Sequence, residues 1–325
     1  MKRKILSWLV LLALGLGSAP GARALSWTPG WTLLPVGPGR TITASEKAQA
    51  RTLGDAIDSA SSARTAIQAW EAIAAAQPGD VEAWVEIGKL RLLEGAAYRQ
   101  SARDRLVCYK AALQACERAM ATNPEFLRRV QGGQTTREAI GALGAREMGA
   151  MQFWSTGVFY IFRDCLGFFG RVFNVRQLAG VKKVLTRMDA VDPTWEDYSS
   201  TFSWGIYYLA LPASQGGDRV KARECFDRAV ALGEHRSLPR WGRGKYFYVA
   251  TEEKAAARAD LEAVRAQDLS VLAGNRSWNR YFQADAARLL AQKAHARTGA
   301  GDPDGLGCRG RDICSPSISH SMAPG

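Results

Sequence analysis

Histidine is nearly missing from this chain. The three that occur, His235, His295 and His320, are far apart in sequence, and His235 reads as a solvated loop side chain. Cysteine occurs six times, at 108, 116, 165, 225, 308 and 314, but never with C-x2-C spacing, which argues against zinc. Cys108 and Cys116 are eight positions apart on a predicted helix, ~12 Å at 1.5 Å per residue, too far to bridge. Cys308 and Cys314 could close a small loop. No G-x-S-x-G elbow, P-loop, H-E-x-x-H or dinucleotide glycine fingerprint is present. Acidic residues are scattered along amphipathic helices instead of pairing. These absences lead us to expect no catalytic residue, no metal and no cofactor.

Long apolar runs are also missing beyond the start of the chain, where no stretch approaches the ~20 residues of a membrane span. The start itself differs. Met1-Lys2-Arg3-Lys4 is basic, 5–17 is apolar but short for a bilayer, and Ala22-Arg23-Ala24 has the small-x-small form that a signal peptidase reads. We expect residues 1–24 to be a signal peptide cleaved after Ala24, so that the protein is exported. A short membrane anchor is the competing reading. No cysteine lies near the junction, so the lipid attachment of bacterial lipoproteins is not open to this chain.

What is present is enough apolar residue for a full core: 47% of the 325 residues are hydrophobic and 23% are charged. The formal net charge is +12. Four basic residues and no acidic one fall in the signal, so the remainder stays mildly basic. Arg99, Arg103, Arg105 and Lys110 form one basic group and Arg171, Arg176, Lys182, Lys183 and Arg187 another. The plain reading is solvated helix faces. The sharper one is contact with an acidic partner or with phospholipid head groups. Export argues against nucleic acid.

Residues 25–44 are rich in Pro, Gly and Thr and read as an irregular lead-in, with Gly37-Pro38-Gly39-Arg40 a turn. From Ser45 the apolar residues recur at three- and four-residue steps, the helical period, and no alternating strand pattern appears before about residue 298. The helical segments repeat. Leu53-Gly54 leads to Ala66, Trp70 and Pro78. A step of 34 residues reaches Ile87-Gly88, whose unit continues through Ala112, Cys116, Ala119 and Pro124 with an insertion between Glu94 and Leu106. A third match runs from Trp204-Gly205 to Ala222, Phe226 and Ala229. This is tetratricopeptide spacing. Small residues let paired helices approach, Trp70 and Phe226 fill grooves, and prolines end second helices. The expected fold is all-α: tetratricopeptide-like hairpins over 45–297, stacked around a central aromatic helix, followed by a disordered tail at 298–325.

That aromatic helix lies in 147–173, where Phe153, Trp154, Phe159, Tyr160, Phe162, Phe168, Phe169 and Phe173 crowd together. Arg163 and Asp164 exclude a membrane span. A helix apolar around most of its circumference must be buried on all sides or must face an apolar ligand. A second helix, Val175 to Val191, follows it to Asp192-Pro193. Trp241 to Ala250 and Glu252 to Gln267 form a further pair, and Ser277 to Ala296 a closing helix.

The order of these parts, with the segments MQFWSTGVFYIF and WGIYYLALPASQGGDRVKARECFDRAVAL, resembles the T-component family of TRAP transporters over roughly residues 45–268. The resemblance implies a periplasmic, helical, non-catalytic protein with a cavity for a hydrophobic, lipid- or sterol-like molecule. It would work beside a solute-binding protein or transporter component, with homo-oligomeric association. Many members are lipoproteins, from which this chain departs.

Two functions follow. The first is an accessory of transport that binds or passes an apolar small molecule, with Phe153, Trp154, Phe159, Tyr160, Phe162, Phe202, Trp204, Tyr207 and Tyr208 expected to line one ligand cavity. Peripheral membrane contact fits this role. The second is an exported scaffold that grips a partner protein and has no small-molecule ligand.

Overall fold

The computed structural model describes residues 25–34 and 39–298, with side chains described to residue 292. The signal segment, the tail with Cys308, Cys314 and His320, part of the turn at 37–40 and the side chain of His295 lie outside the described residues. Those residues are helices and connecting turns, with no strand among them.

Local chemistry fixes where the first helices start. In α1 (Ala44–Asp55), Thr43 and Glu46 form a reciprocal capping box. In α2 (Ala60–Ala76), Ser59 and Ser62 do the same. Asp80 caps α3 (Val81–Leu93) by accepting from the Ala83 N–H, and Ser101 caps α4 (Ala102–Ala121) through the Asp104 N–H. Asn123 caps α5 (Pro124–Gln131). Pro124 therefore opens a helix at its first position, where a missing N–H costs nothing, instead of ending the one before it.

Helices α1 to α4 pack in chain order. Gly88 sits at the α3–α4 contact, where an added Cβ would meet Cys116 Sγ at 2.7 Å and the Ala112 carbonyl at 3.3 Å. Gly54 is looser, with Leu90 at 3.9 Å from its Cβ position. The insertion between Glu94 and Leu106 holds a π turn, Glu94–Tyr98, and the first turn of α4.

The expected aromatic helix is two helices. Met148–Tyr160 (α6) is buried around most of its circumference against α3, α4 and the later helices Val181–Val191 and Trp195–Ala210, and continues as a π turn, Ile161–Cys165. The chain then extends at Leu166 and restarts as α7 (Phe168–Ala179). Phe168, Phe169 and Phe173 are exposed on α7. The extended pair Leu166 and Gly167 breaks the aromatic run and takes its second half out of the core. The segment expected as a second helix from Val175 divides at Gly180 into the end of α7 and α8 (Val181–Val191).

Next come α9 (Trp195–Ala210) and α10 (Arg219–Leu232), a tightly packed pair in which Phe226 lies on Gly205, 3.1 Å from its Cβ position. Then follow α11 (Ser237–Gly242), extended by a third π turn at Arg243–Phe247, and α12 (Lys254–Arg265). The last helix, α13 (Arg276–Thr298), packs on α11 and α12 and returns to the first helix pair. Ser277 Oγ donates to the Gly54 carbonyl at 2.7 Å, Asn275 Nδ2 to Asp55 at 3.0 Å, and Arg280 to the Ile57 carbonyl at 2.8 Å. The helices thus close on themselves around α6.

Candidate functional site

Closure leaves a central cavity of about 260 Å3 bounded by α3, α6, α9, α13 and the start of α11. Its walls are aromatic: Phe153 and Tyr160 from α6, Phe202 from α9, Trp278 and Phe282 from α13, with Trp195 at one side. Trp278 is buried, yet its indole Nε1 has no hydrogen-bond partner among the described residues. That nitrogen is closed off from solvent and from the cavity space, so it is the Trp278 ring, and not its N–H, that lines the cavity. Deeper on α6, Gln152 is held by Ser203 Oγ at 3.2 Å and so is already satisfied.

The rim is polar. Glu86 and Lys89, one turn apart on α3, form an ion pair. Opposite them Arg236 binds Glu196 at 2.6 Å and Asp197 at 2.5 Å. These two acidic residues and Tyr198 occupy the left-handed region, with φ of 51°, 53° and 62°. Each such non-glycine residue costs roughly 1–3 kcal/mol and persists only where the surroundings over-determine it. Here the Arg236 guanidinium supplies that constraint, directly at the cavity mouth.

Beyond Tyr160 lies a cluster of buried charge where π turns meet. Arg163 pairs with Asp164 and bonds the Tyr246 hydroxyl, and its guanidinium stands 4.4 Å from the Tyr160 ring centre. Burial works to raise the Asp164 carboxyl, but Arg163 overcomes it and holds that group below its ordinary value. The Tyr109 hydroxyl donates to Asp164 at 3.0 Å. Lys245 pairs with Asp285 at 2.7 Å, yet burial and the nearby Arg163 push its ammonium down to about 8. The π turns at 161–165 and 243–247 thus set paired charges against the aromatic end of the cavity.

The structure divides the nine aromatics expected in one cavity. Phe153, Tyr160 and Phe202 do line it. Trp154, next to Phe153 but turned about 100° around the helix, faces the other way. It borders a second cavity of about 410 Å3 beneath Trp27 and Trp31 of the lead-in. There the carboxylate of Glu117, only 2% exposed, accepts from Trp154 Nε1 at 3.1 Å, Thr136 Oγ1 at 3.1 Å and the Gly30 N–H at 2.6 Å. Burial raises the Glu117 carboxyl against these donors. Phe159 and Phe162 pack in the core beside neither cavity. Trp204, Tyr207 and Tyr208 stack on one another, with ring centres 5.4–5.6 Å apart, and Trp204 Nε1 is taken by Asp189 at 2.7 Å. Crowding in sequence does not distinguish ring-on-ring packing from cavity lining, and here both occur.

Sequence reasoning missed Trp195, Trp278, Phe282 and Arg236. The four-residue step from Trp278 to Phe282 on the closing helix was the available signal, since it puts both rings on one face. Arg236 carried none. Among the described residues Cys108, Cys116, Cys165 and Cys225 are free thiols, and no group of His, Cys, Asp and Glu is placed to hold a metal.

Compared with known proteins, residues 93–296 match the model of the family described as TRAP transporter T-component. No curated protein matches the chain.

Proposed function

The chain belongs to the TRAP transporter T-component family, and on that premise we propose that this accessory of a transport system carries a small apolar molecule in its central cavity, without catalysis. The observation that supports this most is a cavity onto which Phe153, Tyr160, Phe202, Trp278 and Phe282 converge from three helices beneath a polar rim. An amphiphile would lay its apolar body on Phe153, Phe202 and Phe282 and leave its polar end at that rim, beside Lys89 and Arg236. The volume lies just below the ~300–1,000 Å3 of most small-molecule sites, which favours a slender, lipid-like chain over a bulky fused-ring sterol. Burying ~300 Å2 of apolar surface would yield a gross ~7 kcal/mol before association costs, strong enough to hold and weak enough to release.

The proposed setting is the periplasm, after cleavage behind Ala24, beside a solute-binding protein or transporter component. No helix among the described residues is long and apolar enough to cross a membrane.

Solvent extraction of purified protein followed by mass spectrometry should yield an amphiphile. Phe282→Ala, which removes a lining ring, should weaken its binding at least tenfold, the equivalent of about 1.4 kcal/mol of lost apolar contact. An empty extract, together with no titratable binding of medium-chain fatty acids or alcohols, would reject the carrier and leave the protein-binding scaffold.

A further inference from the structure

We propose that α7 is a membrane-docking face that lays its aromatic side on an anionic phospholipid surface. The inference does not depend on which molecule the central cavity holds. Two observations carry it.

The first is exposure. Phe168, Phe169, Val172 and Phe173 are 76%, 61%, 56% and 54% exposed. Their spacing puts them on one side of a single helix. Isolated exposed apolar residues are ordinary, but four large ones side by side form a contiguous patch that marks an interaction surface. The patch is also rigidly set. Arg171 donates from Nε to the Phe162 and Leu166 carbonyls at 3.1 Å, and from Nη2 to the Arg163 carbonyl at 2.8 Å. It thereby pins α7 to the π turn that ends α6, one turn beyond cavity-lining Tyr160.

The second is charge. Between Leu166 and Met188 every charged residue is basic: Arg171, Arg176, Lys182, Lys183 and Arg187. Exposed aromatic side chains on a segment whose own charges are all cationic have the composition of an interfacial membrane helix. The same composition disfavours a second copy as occupant, because a self-complementary contact would bring like-charged groups together.

Vesicle flotation of the full chain tests this, using phosphatidylcholine vesicles with and without phosphatidylglycerol. Flotation should require the anionic lipid and weaken as salt rises. Phe169→Ser/Phe173→Ser should cut the bound fraction about tenfold. The control Val220→Ser/Val271→Ser, which removes equally exposed apolar residues elsewhere, should float like the native chain. Circular dichroism and melting should be unchanged in both, because all four side chains are exposed. The proposal is overturned if the native chain does not float, or if the α7 variant floats as well as native. It is also overturned if that variant dissociates an oligomer in sedimentation, which would make the patch a contact between copies.

Discussion

Gly88 shows how a single missing side chain sets a helix contact. Its Cβ position falls 2.7 Å from Cys116 Sγ, so Gly88→Leu must displace α4 or a core sulfur. Such overpacking costs ~1–3 kcal/mol, and at this chain length each kcal/mol lowers the melting temperature by about 2–4 °C. Thermal denaturation followed by circular dichroism should register the drop. An unchanged melting temperature would show that the two helices separate there freely. Phe153 and Trp154 make a related point. Adjacent in sequence, they face different cavities, and a count of aromatics in a window cannot see that difference.

At the scale of elements, two departures from regular helix stand out. The π turns end α3, α6 and α11, and two of them carry Arg163, Asp164, Lys245 and Tyr246. Such bulges inside helices recur at functional sites. The left-handed start of α9 is the other. Among the described residues Arg236 alone bridges both Glu196 and Asp197, so Arg236→Ala should release the turn. Amide hydrogen exchange over 195–199 should then rise at least tenfold, roughly the loss of 1.4 kcal/mol of local protection, while exchange in α4 stays as in the native chain. Equal protection at 195–199 would mean that packing, not the ion pairs, maintains the turn. The helical segments were legible from the three- and four-residue recurrence of their apolar positions, to which the structure adds the caps Thr43, Ser59, Asp80 and Ser101 that set where they start. The break at Gly167 was not, because an aromatic run reads as continuous helix until the packing shows that its second half has nothing to cover it.

For the whole molecule the decisive contact is closure of α13 onto the first helix pair. Ser277 and Arg280 supply hydrogen bonds there to the Gly54 and Ile57 carbonyls, more than two hundred residues away in the chain. Each such bond contributes ~0.5–1.5 kcal/mol. Ser277→Ala/Arg280→Ala should therefore broaden or split the calorimetric unfolding transition, as the last helix loosens ahead of the rest. The same variant should lose affinity for the cavity's amphiphile, since Trp278 and Phe282 lie on the loosened helix. A single sharp transition at the native temperature would show that closure adds nothing to cooperativity.

The helical class, the small-residue contact at Gly88 and the family were legible in the sequence. They rest on short-range rules: the helical period, the spacing of recurring segments, and Gly or Ala where backbones meet. Only the tertiary structure decided which rings surround a common space. Trp204, Tyr207 and Tyr208 satisfy one another, whereas Phe153, Tyr160, Phe202, Trp278 and Phe282 come from three helices that meet only once α13 has returned to α1. The burial of a ring, and whether it faces protein or empty space, is settled by partners distant in sequence. For that reason neither the central cavity, nor the exposed face of α7, nor the clamp of Arg236 could be read from local pattern.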